Sequence, residues 1–302
     1  MGRGIGLAFA IGGHDVVMVD LDLGLLTKSL EQINSILELM QEAGLTSESS
    51  DRITSRISLE PNSEKAVSNS DFVVEAIFEN LDLKRETFRK LDAASKTDTI
   101  LASNTSSLPI TSIASETLHP ERVVGTHFWN PPHLMPAVEV VYGEKTNDAT
   151  VSETVSILRA IGKKPAVVRK DVPGQIGIRI LYSMIREATH LVEAGVASPE
   201  DVDTIVKEAL GTRLEVLGPL ELADLSGVDL VSNVAKGLYK TLDDSVEPQK
   251  IIKDMVANGQ LGIKSGKGFY DWKTGSKNAD QVLKRRDAHL IKILKERRKN
   301  SE

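Results

Sequence analysis

The feature that most constrains the fold is an alternation of short apolar runs with amphipathic segments, which continues through residues 2–168 and then stops. The apolar runs predict buried strands at residues 16–19, 72–77, 99–102, 123–125, 138–141 and 166–168. Helical patterns separate them, at about residues 3–11, 24–43, 81–95, 109–115 and 149–161. Strands that alternate with helices predict an α/β domain built on a Rossmann-type, doubly wound parallel sheet.

The pattern changes near Lys170, where strand signals end. Helical periodicity then covers about residues 174–195, 199–210, 219–242, 247–257 and 279–299. The sequence therefore predicts two domains, an α/β domain over residues 1–170 and an all-α domain over residues 171–302. A chain of 302 residues is long enough for both.

Composition removes several classes of function. The formal net charge is −6, which disfavours general nucleic-acid binding because phosphates attract basic surfaces. No apolar run approaches the roughly 18 residues of a membrane-spanning helix, and no signal-peptide pattern is present, so we expect no membrane association and a cytoplasmic location. The chain has no cysteine, which excludes disulfides, a thiolate nucleophile and a Cys-ligated metal, and no metal site is predicted.

Asp20 carries the prediction of a dinucleotide site. It ends the first predicted strand, eighteen residues after the glycine at which the preceding helix starts, Gly2. An acid at that place binds both ribose hydroxyls of an adenosine and repels a 2′-phosphate, so the position favours NAD over NADP. The neighbouring Leu21 and Asp22 supply no cation for a phosphate, which agrees with this preference.

The glycine-rich fingerprint of dinucleotide-binding folds is incomplete in this chain. Met1 and Gly2 match its last two positions, and the first strand and first two glycines are expected upstream of Met1. A late start codon, a shortened chain and a natural variant are the explanations left open. A missing first strand would leave its two neighbours with unpaired edges and would remove backbone N–H groups that hold a pyrophosphate.

A single strand–loop–strand segment carries the strongest chemical signal. His127 follows the apolar residues Val123 and Val124, a proline-rich loop comes next, and Glu139 lies in the following strand. Imidazole accepts and returns a proton near neutral pH, and a carboxylate on one ring nitrogen orients it and stabilises its charged form. The twelve-residue gap lets the loop fold back and bring the two side chains together. His133, which lies in the loop without an acid at this spacing, is interpreted as structural.

Three motifs in order extend this interpretation: SNTSSL at residues 103–108, HFWNPP at residues 127–132, and the acid twelve residues after the histidine. Together they resemble the L-3-hydroxyacyl-CoA dehydrogenase family, also called 3-hydroxybutyryl-CoA dehydrogenases, from Gly2 to about Trp272. The resemblance implies reversible, NAD-dependent oxidation of the 3-hydroxyl of an acyl-CoA substrate, with His127 as the general base. It also implies an all-helical second domain that closes the active-site cleft and forms a homodimer.

The resemblance assigns further residues one by one. Ser106 matches the hydroxyl that steadies the reacting oxygen, and Asn130 matches the asparagine that bridges the site and the nicotinamide ring. Glu79 and Lys84 match an acid and a lysine on the nicotinamide side of NAD. Gly2 takes the place of the last fingerprint glycine.

One departure bears on the substrate. The family usually has an asparagine in a PGF-I-x-N-R run, where this chain has Ile178, which offers no polar atom to the substrate. Loss of one preorganised donor costs roughly a hundredfold in rate or more. Two alternatives therefore stay open: a dehydrogenase of a free 3-hydroxy acid, of the L-gulonate or carnitine type, and a weakly active or inactive homologue.

The C-terminal segment from Asp280 to Lys299 is amphipathic, with apolar side chains on one face and many lysines and arginines on the other. Packing on the body of the protein, binding to a partner chain and contact with CoA phosphates are all compatible with this pattern. A solvated basic face is the simplest interpretation.

Overall fold

The computed structural model describes residues 1–273 and 278–299. Two units make up the chain: residues 1–179 together with 284–302, and residues 180–283. The predicted domain boundary after residue 170 stays a prediction, but the C-terminal segment groups with the first unit rather than with the helical one.

Strands occur in the first unit, where the described residues form two sheets. The sheets have the orders β1-β2 and β3-β4-β5-β6-β7. The strands are β1 (Val16–Met18), β2 (Ile57–Leu59), β3 (Phe72–Glu75), β4 (Ile100–Ser103), β5 (Val123–Phe128), β6 (Ala137–Tyr142) and β7 (Lys164–Val168). No described strand joins β1 to β3, so β1-β2 and β3-β4-β5-β6-β7 are separate sheets among the described residues.

Two strands depart from the predicted parallel sheet, because β6 and β7 both run opposite to β3, β4 and β5. β5 and β6 pair antiparallel, whereas β3-β4, β4-β5 and β6-β7 pair parallel. The connection between β5 and β6, residues 129–136, is too short for the crossover that a parallel pair requires. This antiparallel register places His127 directly opposite Glu139.

Side chains that alternate along the strands build two layers of core. Val123 and Val141 belong to one buried cluster, and Val124 and Val140 belong to another. Because side chains two residues apart point to the same face of a strand, His127 and Glu139 lie on the face of Val123 and Val141. The site is thus anchored to β5, whose six residues are all buried, and to the buried middle of β6, Val138–Val141.

Polar caps set the starts of the helices around these sheets. Asp22 accepts hydrogen bonds from the N–H groups of Gly24 and Leu25, and Asn80 and Asn147 cap two further helices in the same way. The helices are α1 (Gly2–Ile11), α2 (Leu23–Glu42), α3 (Ser50–Thr54), α4 (Ser63–Val67), α5 (Leu81–Ala94), α6 (Ile110–Ile113) and α7 (Asp148–Ala160). The sequence does not predict β2, α3 or α4, because each is five residues or shorter and lacks a clear period.

The remaining helices follow β7. They are α8 (Gly177–Glu193), α9 (Pro199–Ile205), α10 (Thr212–Leu214), α11 (Pro219–Ser226), α12 (Val228–Leu238), α13 (Lys250–Ala257) and α14 (Ala279–Lys299). A π-helical segment, Val206–Gly211, joins α9 to α10. The single helix predicted over residues 219–242 is divided at Gly227, whose φ of +91° ends α11.

The helical unit differs from the first in its core. Among its described residues, 180–273 and 278–283, no apolar side chain is fully buried. Leu220 and Leu225 on α11 are 81% and 73% exposed, and Val228 on α12 is 64% exposed. In the part of the chain that the structure describes, no helix combines the length and apolar character needed to span a membrane.

Candidate functional site

The two residues predicted to transfer a proton face each other across adjacent strands. Nδ1 of His127 lies 2.7 Å from Oε2 of Glu139, and each side chain is 6% exposed. The structure therefore brings together the pair that the sequence spacing suggests. It does so through strand register, which holds both Cα positions opposite each other.

The backbone also holds the Glu139 carboxylate. Its Oε1 accepts hydrogen bonds from the N–H groups of Ile176 at 2.8 Å and Gly177 at 2.9 Å. Two successive left-handed residues, Gly174 with φ +79° and Gln175 with φ +47°, precede these N–H groups. Neighbouring N–H groups around such a turn form a concavity that binds anions.

These contacts determine the charge of the pair. Burial by itself raises the pKa of the Glu139 carboxyl, but hydrogen bonds from His127, Gly177 and Ile176 outweigh burial and hold that pKa below its usual value. An ionised carboxylate only accepts hydrogen bonds, so the Nδ1 of a neutral His127 carries the proton. The lone pair on Nε2 is then available to accept a proton from a substrate.

An aromatic side chain flanks the histidine. The rings of His127 and Trp129 have centroids 5.2 Å apart. The start of α8 fits closely against the same indole, since a Cβ on Gly177 would stand only 2.2 Å from Cζ2 of Trp129. Glycine at position 177 therefore lets one turn approach Trp129 while its N–H group reaches Glu139.

The hydroxyl-rich loop after β4 lies at the same sheet edge, because β4 and β5 are parallel neighbours. Oδ1 of Asn104 accepts a hydrogen bond from the N–H of Phe128 at 2.8 Å, which ties this loop to the residue after His127. Ser106 is exposed, and among residues 1–273 and 278–299 nothing forms a hydrogen bond with its hydroxyl. That hydroxyl is free to meet a substrate oxygen.

Glu79 organises the hydroxyl loop from the next strand. Its Oε1 accepts hydrogen bonds from the Thr105 hydroxyl at 2.6 Å and from the N–H groups of Ser106 and Ser107, both at 2.9 Å. Burial raises the pKa of Glu79, but these bonds and the charge of Lys84 together lower it below its usual value. Glu79 thus fixes the backbone at the predicted catalytic serine.

Lys84 lies beneath Glu79 and not on the surface. Its side chain is 1% exposed, and its Nζ lies 2.7 Å from Oε1 of Glu75 and 3.4 Å from Oε2 of Glu79. The other oxygen of Glu75 accepts a hydrogen bond from Ser103 at 2.7 Å. Of the pair predicted on the nicotinamide side, only Glu79 offers surface to a ligand, and its contact with NAD stays a prediction.

The predicted dinucleotide residues have the chemistry that NAD requires. α1 begins at Gly2, and no side chain caps its first N–H groups, which suit a pyrophosphate. Asp20 is exposed after β1, and within the described residues no cation forms an ion pair with it. Its carboxylate suits the ribose hydroxyls of an adenosine.

Asn130 follows His127 by three residues, and Ile178 directly follows the Gly177 N–H that binds Glu139. Neither side chain forms a hydrogen bond with His127 or Glu139. Asn130 is exposed on the loop after β5. Ile178 is half-buried in the first turn of α8, and its Cγ2 would lie 3.4 Å from a Cβ on Gly174, so the side chain folds over the left-handed turn. It presents only carbon atoms, as the sequence indicates.

The structure adds residues whose positions the sequence does not reveal. They are Asn104, Glu75 and the backbone N–H groups of Ile176 and Gly177. Asn104 stands inside a quoted motif, yet its spacing gives no sign of its partner. Backbone groups carry no residue-type signal, because every residue except proline offers an N–H.

Two family models match the chain. The NAD-binding domain of 3-hydroxyacyl-CoA dehydrogenase matches residues 1–172, and the C-terminal domain of 3-hydroxyacyl-CoA dehydrogenase matches residues 174–272. The fold and the site therefore define an NAD-dependent oxidoreductase that acts on CH–OH groups. This chain belongs to the 3-hydroxyacyl-CoA dehydrogenase family.

Individual relatives divide into two kinds. A probable 3-hydroxybutyryl-CoA dehydrogenase of Bacillus subtilis is 39% identical and covers 90% of this chain and 94% of the relative. A 5-formyl-3-hydroxy-2-methylpyridine 4-carboxylate 5-dehydrogenase of Mesorhizobium japonicum is 35% identical and covers 99% of this chain and 96% of the relative. A crystal structure of an enzyme of that second name, described as an NAD⁺-dependent dismutase, superposes with a TM-score of 0.88 at 34% identity, covering 99% of this chain and 94% of the other.

Proposed function

We propose that this chain oxidises the 3-hydroxyl of a 3-hydroxyacyl-CoA to a ketone, reversibly, with His127 as general base and Glu139 as its orienting partner. The buried contact of 2.7 Å between Nδ1 and Oε2 carries this proposal. Bound NAD supplies the hydride acceptor. The protein's task is to remove the hydroxyl proton and to hold the reacting carbon in place.

The proton moves to Nε2 of His127, since Nδ1 already donates to Glu139. As the ring becomes positively charged, the ionised Glu139 offsets that charge without moving. The N–H groups of Ile176 and Gly177 keep the carboxylate fixed throughout. In the reverse direction His127 returns the proton to the ketone oxygen.

Ser106 and Asn130 complete the proposed site. The free Ser106 hydroxyl donates to the reacting oxygen, and Glu79 holds the backbone that positions it. Asn130 bridges the substrate side and the nicotinamide ring. Gly2 at the start of α1, Asp20 and Glu79 hold the cofactor, with Lys84 acting through Glu79.

A second candidate substrate is a free carboxylic acid without CoA. Two observations favour it: Ile178 offers no donor to a thioester substrate, and the pyridine-carboxylate relative matches 99% of this chain. Its match extends past residue 272, where the family models end. An aldehyde can enter the same chemistry as its hydrate. His127 then takes the proton of one hydroxyl, and the C–H bond on the same carbon supplies the hydride.

A spectrophotometric assay of NADH formation with three substrates separates these candidates: 3-hydroxybutyryl-CoA, free 3-hydroxybutyrate and the pyridine aldehyde acid named for the relative. Turnover of the thioester alone supports the first proposal, and turnover of a free acid alone supports the second. His127→Gln should abolish turnover of whichever substrate is used, whereas His119→Gln, a change at an exposed histidine, should not. Full activity in the His127 variant would reject the mechanism.

Calorimetry with NADH tests the remaining alternative, a weakly active homologue. That alternative requires the chain to lack affinity for NADH. The proposed function requires measurable binding in the absence of any substrate.

The expected cytoplasmic location is a separate proposal that cell fractionation tests.

We also propose that the helical unit forms a homodimer. Its described residues bury no apolar side chain fully, although they include many large ones. So many exposed apolar side chains need a surface that covers them. In a symmetric dimer the same surface of a second copy of the chain covers them. Analytical ultracentrifugation should show a dimer, and Leu220→Asp together with Leu225→Asp should shift it to monomer; a wild-type monomer would reject this assembly.

A further inference from the structure

A buried amine outside the proton-transfer pair has no assigned role. Lys163 lies in the turn between α7 and β7 and is 8% exposed. Its Nζ donates hydrogen bonds to the carbonyl oxygens of Pro132 at 2.6 Å and Met135 at 3.0 Å. In the described residues it forms no ion pair, so the carbonyl groups alone satisfy a buried cation.

Both carbonyl groups belong to one short loop, residues 131–136, called here the clamp loop. The N–H groups of Leu134 and Met135 donate to the Pro131 carbonyl at 3.0 and 2.9 Å, which closes one end of the loop. Lys163 binds the carbonyl groups of Pro132 and Met135 within this turn, and the Lys164 N–H donates to the Pro136 carbonyl at 2.8 Å. A single side chain therefore completes the hydrogen bonding of a loop that lacks regular structure.

The clamp loop contacts the helix expected to hold the cofactor pyrophosphate. A Cβ on Gly4 of α1 would stand 2.7 Å from Cγ of Pro132 and 3.4 Å from Nδ1 of His133. The loop thus lies directly against the α1 backbone, two residues after Gly2. Any movement of Pro132 would either press on the first turn of α1 or open a gap beside it.

Apolar contacts with α2 and α14 also hold the clamp loop. Leu134 is buried with Met40 and Leu45, and Leu290 and Leu294 of α14 pack against that cluster. The apolar side chains Leu290 and Leu294 of α14 therefore pack beside the clamp loop, while Lys292, Lys295 and Arg297 of the same helix are exposed. The loop also joins β5 to β6, so it connects the strand of His127 to that of Glu139.

We propose that Lys163 is a positioning residue: by holding the clamp loop against the first turn of α1, it sets the affinity of the protein for the dinucleotide. The inference rests on the proposed function in one respect, the placement of the pyrophosphate at the start of α1. Lys163 touches neither substrate nor the His127–Glu139 pair, so its removal acts on cofactor binding and leaves proton transfer intact.

The charge of Lys163 gives the proposal a pH signature. Burial lowers the pKa of Lys163 to about 8. As pH rises through that value, the two carbonyl groups lose a charged donor and keep only a neutral one, which bonds more weakly. Affinity for NADH should therefore decline on the alkaline side, in a window set by this amine.

Other charged or titratable groups surround the clamp loop. Burial lowers the pKa of His133 to about 4, so the imidazole is already neutral. Arg3 on α1 and Arg286 and Asp287 on α14 also lie near this imidazole, and Asp287 pairs with Arg286. The nearest charged residues along the chain are Arg159, four residues before Lys163, and Lys164, directly after it; both are exposed.

The test measures NADH binding without substrate, by fluorescence titration of the full chain. Lys163→Met should weaken NADH binding by about tenfold or more, because it removes two hydrogen bonds from a charged donor. The kcat at saturating NAD should stay within a few-fold of wild type. Lys163→Arg, which keeps the charge, should restore part of the affinity and remove the decline above pH 8; Lys164→Met, at the exposed neighbour, should bind as wild type does.

Thermal unfolding and circular dichroism accompany each variant to measure the folded fraction. A general loss of folded protein would lower kcat and leave the affinity of the remaining active sites unchanged, and that result overturns the proposal. A folded Lys163→Met variant with wild-type NADH affinity overturns it as well. If the wild-type chain binds NADH but turns over no substrate, the proposed function is contradicted, whereas a tenfold weaker NADH affinity in Lys163→Met would still support the role of Lys163.

Discussion

Replacing Glu139 with glutamine probes the reasoning about proton transfer most directly. The amide keeps the size of the carboxylate, and its oxygen still accepts hydrogen bonds from the N–H groups of Ile176 and Gly177. The amide nitrogen then faces Nδ1 of His127. Since both would be donors, the imidazole must move its proton to Nε2, the atom that has to accept the substrate proton.

The geometry gives the size of the effect. A hydrogen bond to a charged group contributes about 1.5–3 kcal/mol. This is the lower bound for the stabilisation that the His127 imidazolium loses when the carboxylate is removed. Two unit charges at the observed separation of 2.7 Å interact by about 6 kcal/mol at an effective dielectric constant of roughly 20, which is the upper bound. Since about 1.4 kcal/mol corresponds to a tenfold change in rate, we expect kcat to fall by about 10–10⁴-fold.

The assay compares steady-state kinetics of Glu139→Gln with wild type, with Glu144→Gln as the matched control. Glu144 is an exposed acid that follows β6 and does not contact His127. The KM for NAD should be unchanged, because Glu139 does not belong to the cofactor site. A folded Glu139→Gln variant with kcat within threefold of wild type would refute the role given to the carboxylate.

Four further predictions concern the surroundings of the pair. Ser106→Ala should lower kcat by about 10²-fold while unfolding stays unchanged, because one donor to the reacting oxygen is lost; an effect on KM alone would contradict that role. Asn104→Ala should lower the free energy of unfolding by about 1–3 kcal/mol in denaturant titrations, since it leaves the N–H of Phe128 without its hydrogen-bond acceptor. Gln175→Gly should keep activity because glycine adopts a φ of +47° readily, whereas Gln175→Val should lose about 1–2 kcal/mol of stability along with activity; equal behaviour of the two would show that the left-handed turn is unimportant. The pKa of Glu139 is lowered in the folded state, so its contribution to stability is present above the usual carboxyl pKa and disappears as pH falls through the lowered value. Glu139→Gln should therefore flatten the acid side of the profile of stability against pH, measured by thermal unfolding.

The proton-transfer pair could be predicted from the sequence because its geometry is local. A strand, a short loop and a second strand can pair only antiparallel, so a gap of twelve residues suffices to place His127 opposite Glu139. The hydroxyl loop and the exposed Asp20 follow from similarly local signals, since each comes directly after a predicted strand. β2 escaped prediction because its three residues, Ile57–Leu59, are too few for a period and do not form an unbroken apolar run as those of β1 do.

Contacts between distant segments decided the rest. Lys84 resembles a surface lysine at a helix start, yet the positions of Glu75 and Glu79 make it a buried cation. The Lys163 amine reaches carbonyl groups about thirty residues earlier in the chain, and α14 packs against Leu134 from the far end of the sequence.

What the sequence alone determined was therefore the class of fold, the cofactor and the pairing of His127 with Glu139. Each depends on periodicity, or on spacing within one supersecondary unit. Only the tertiary structure decided what holds those residues in place. The supporting hydrogen bonds come largely from backbone groups and from side chains of other elements, and their positions depend on how the whole unit packs, which no local pattern encodes.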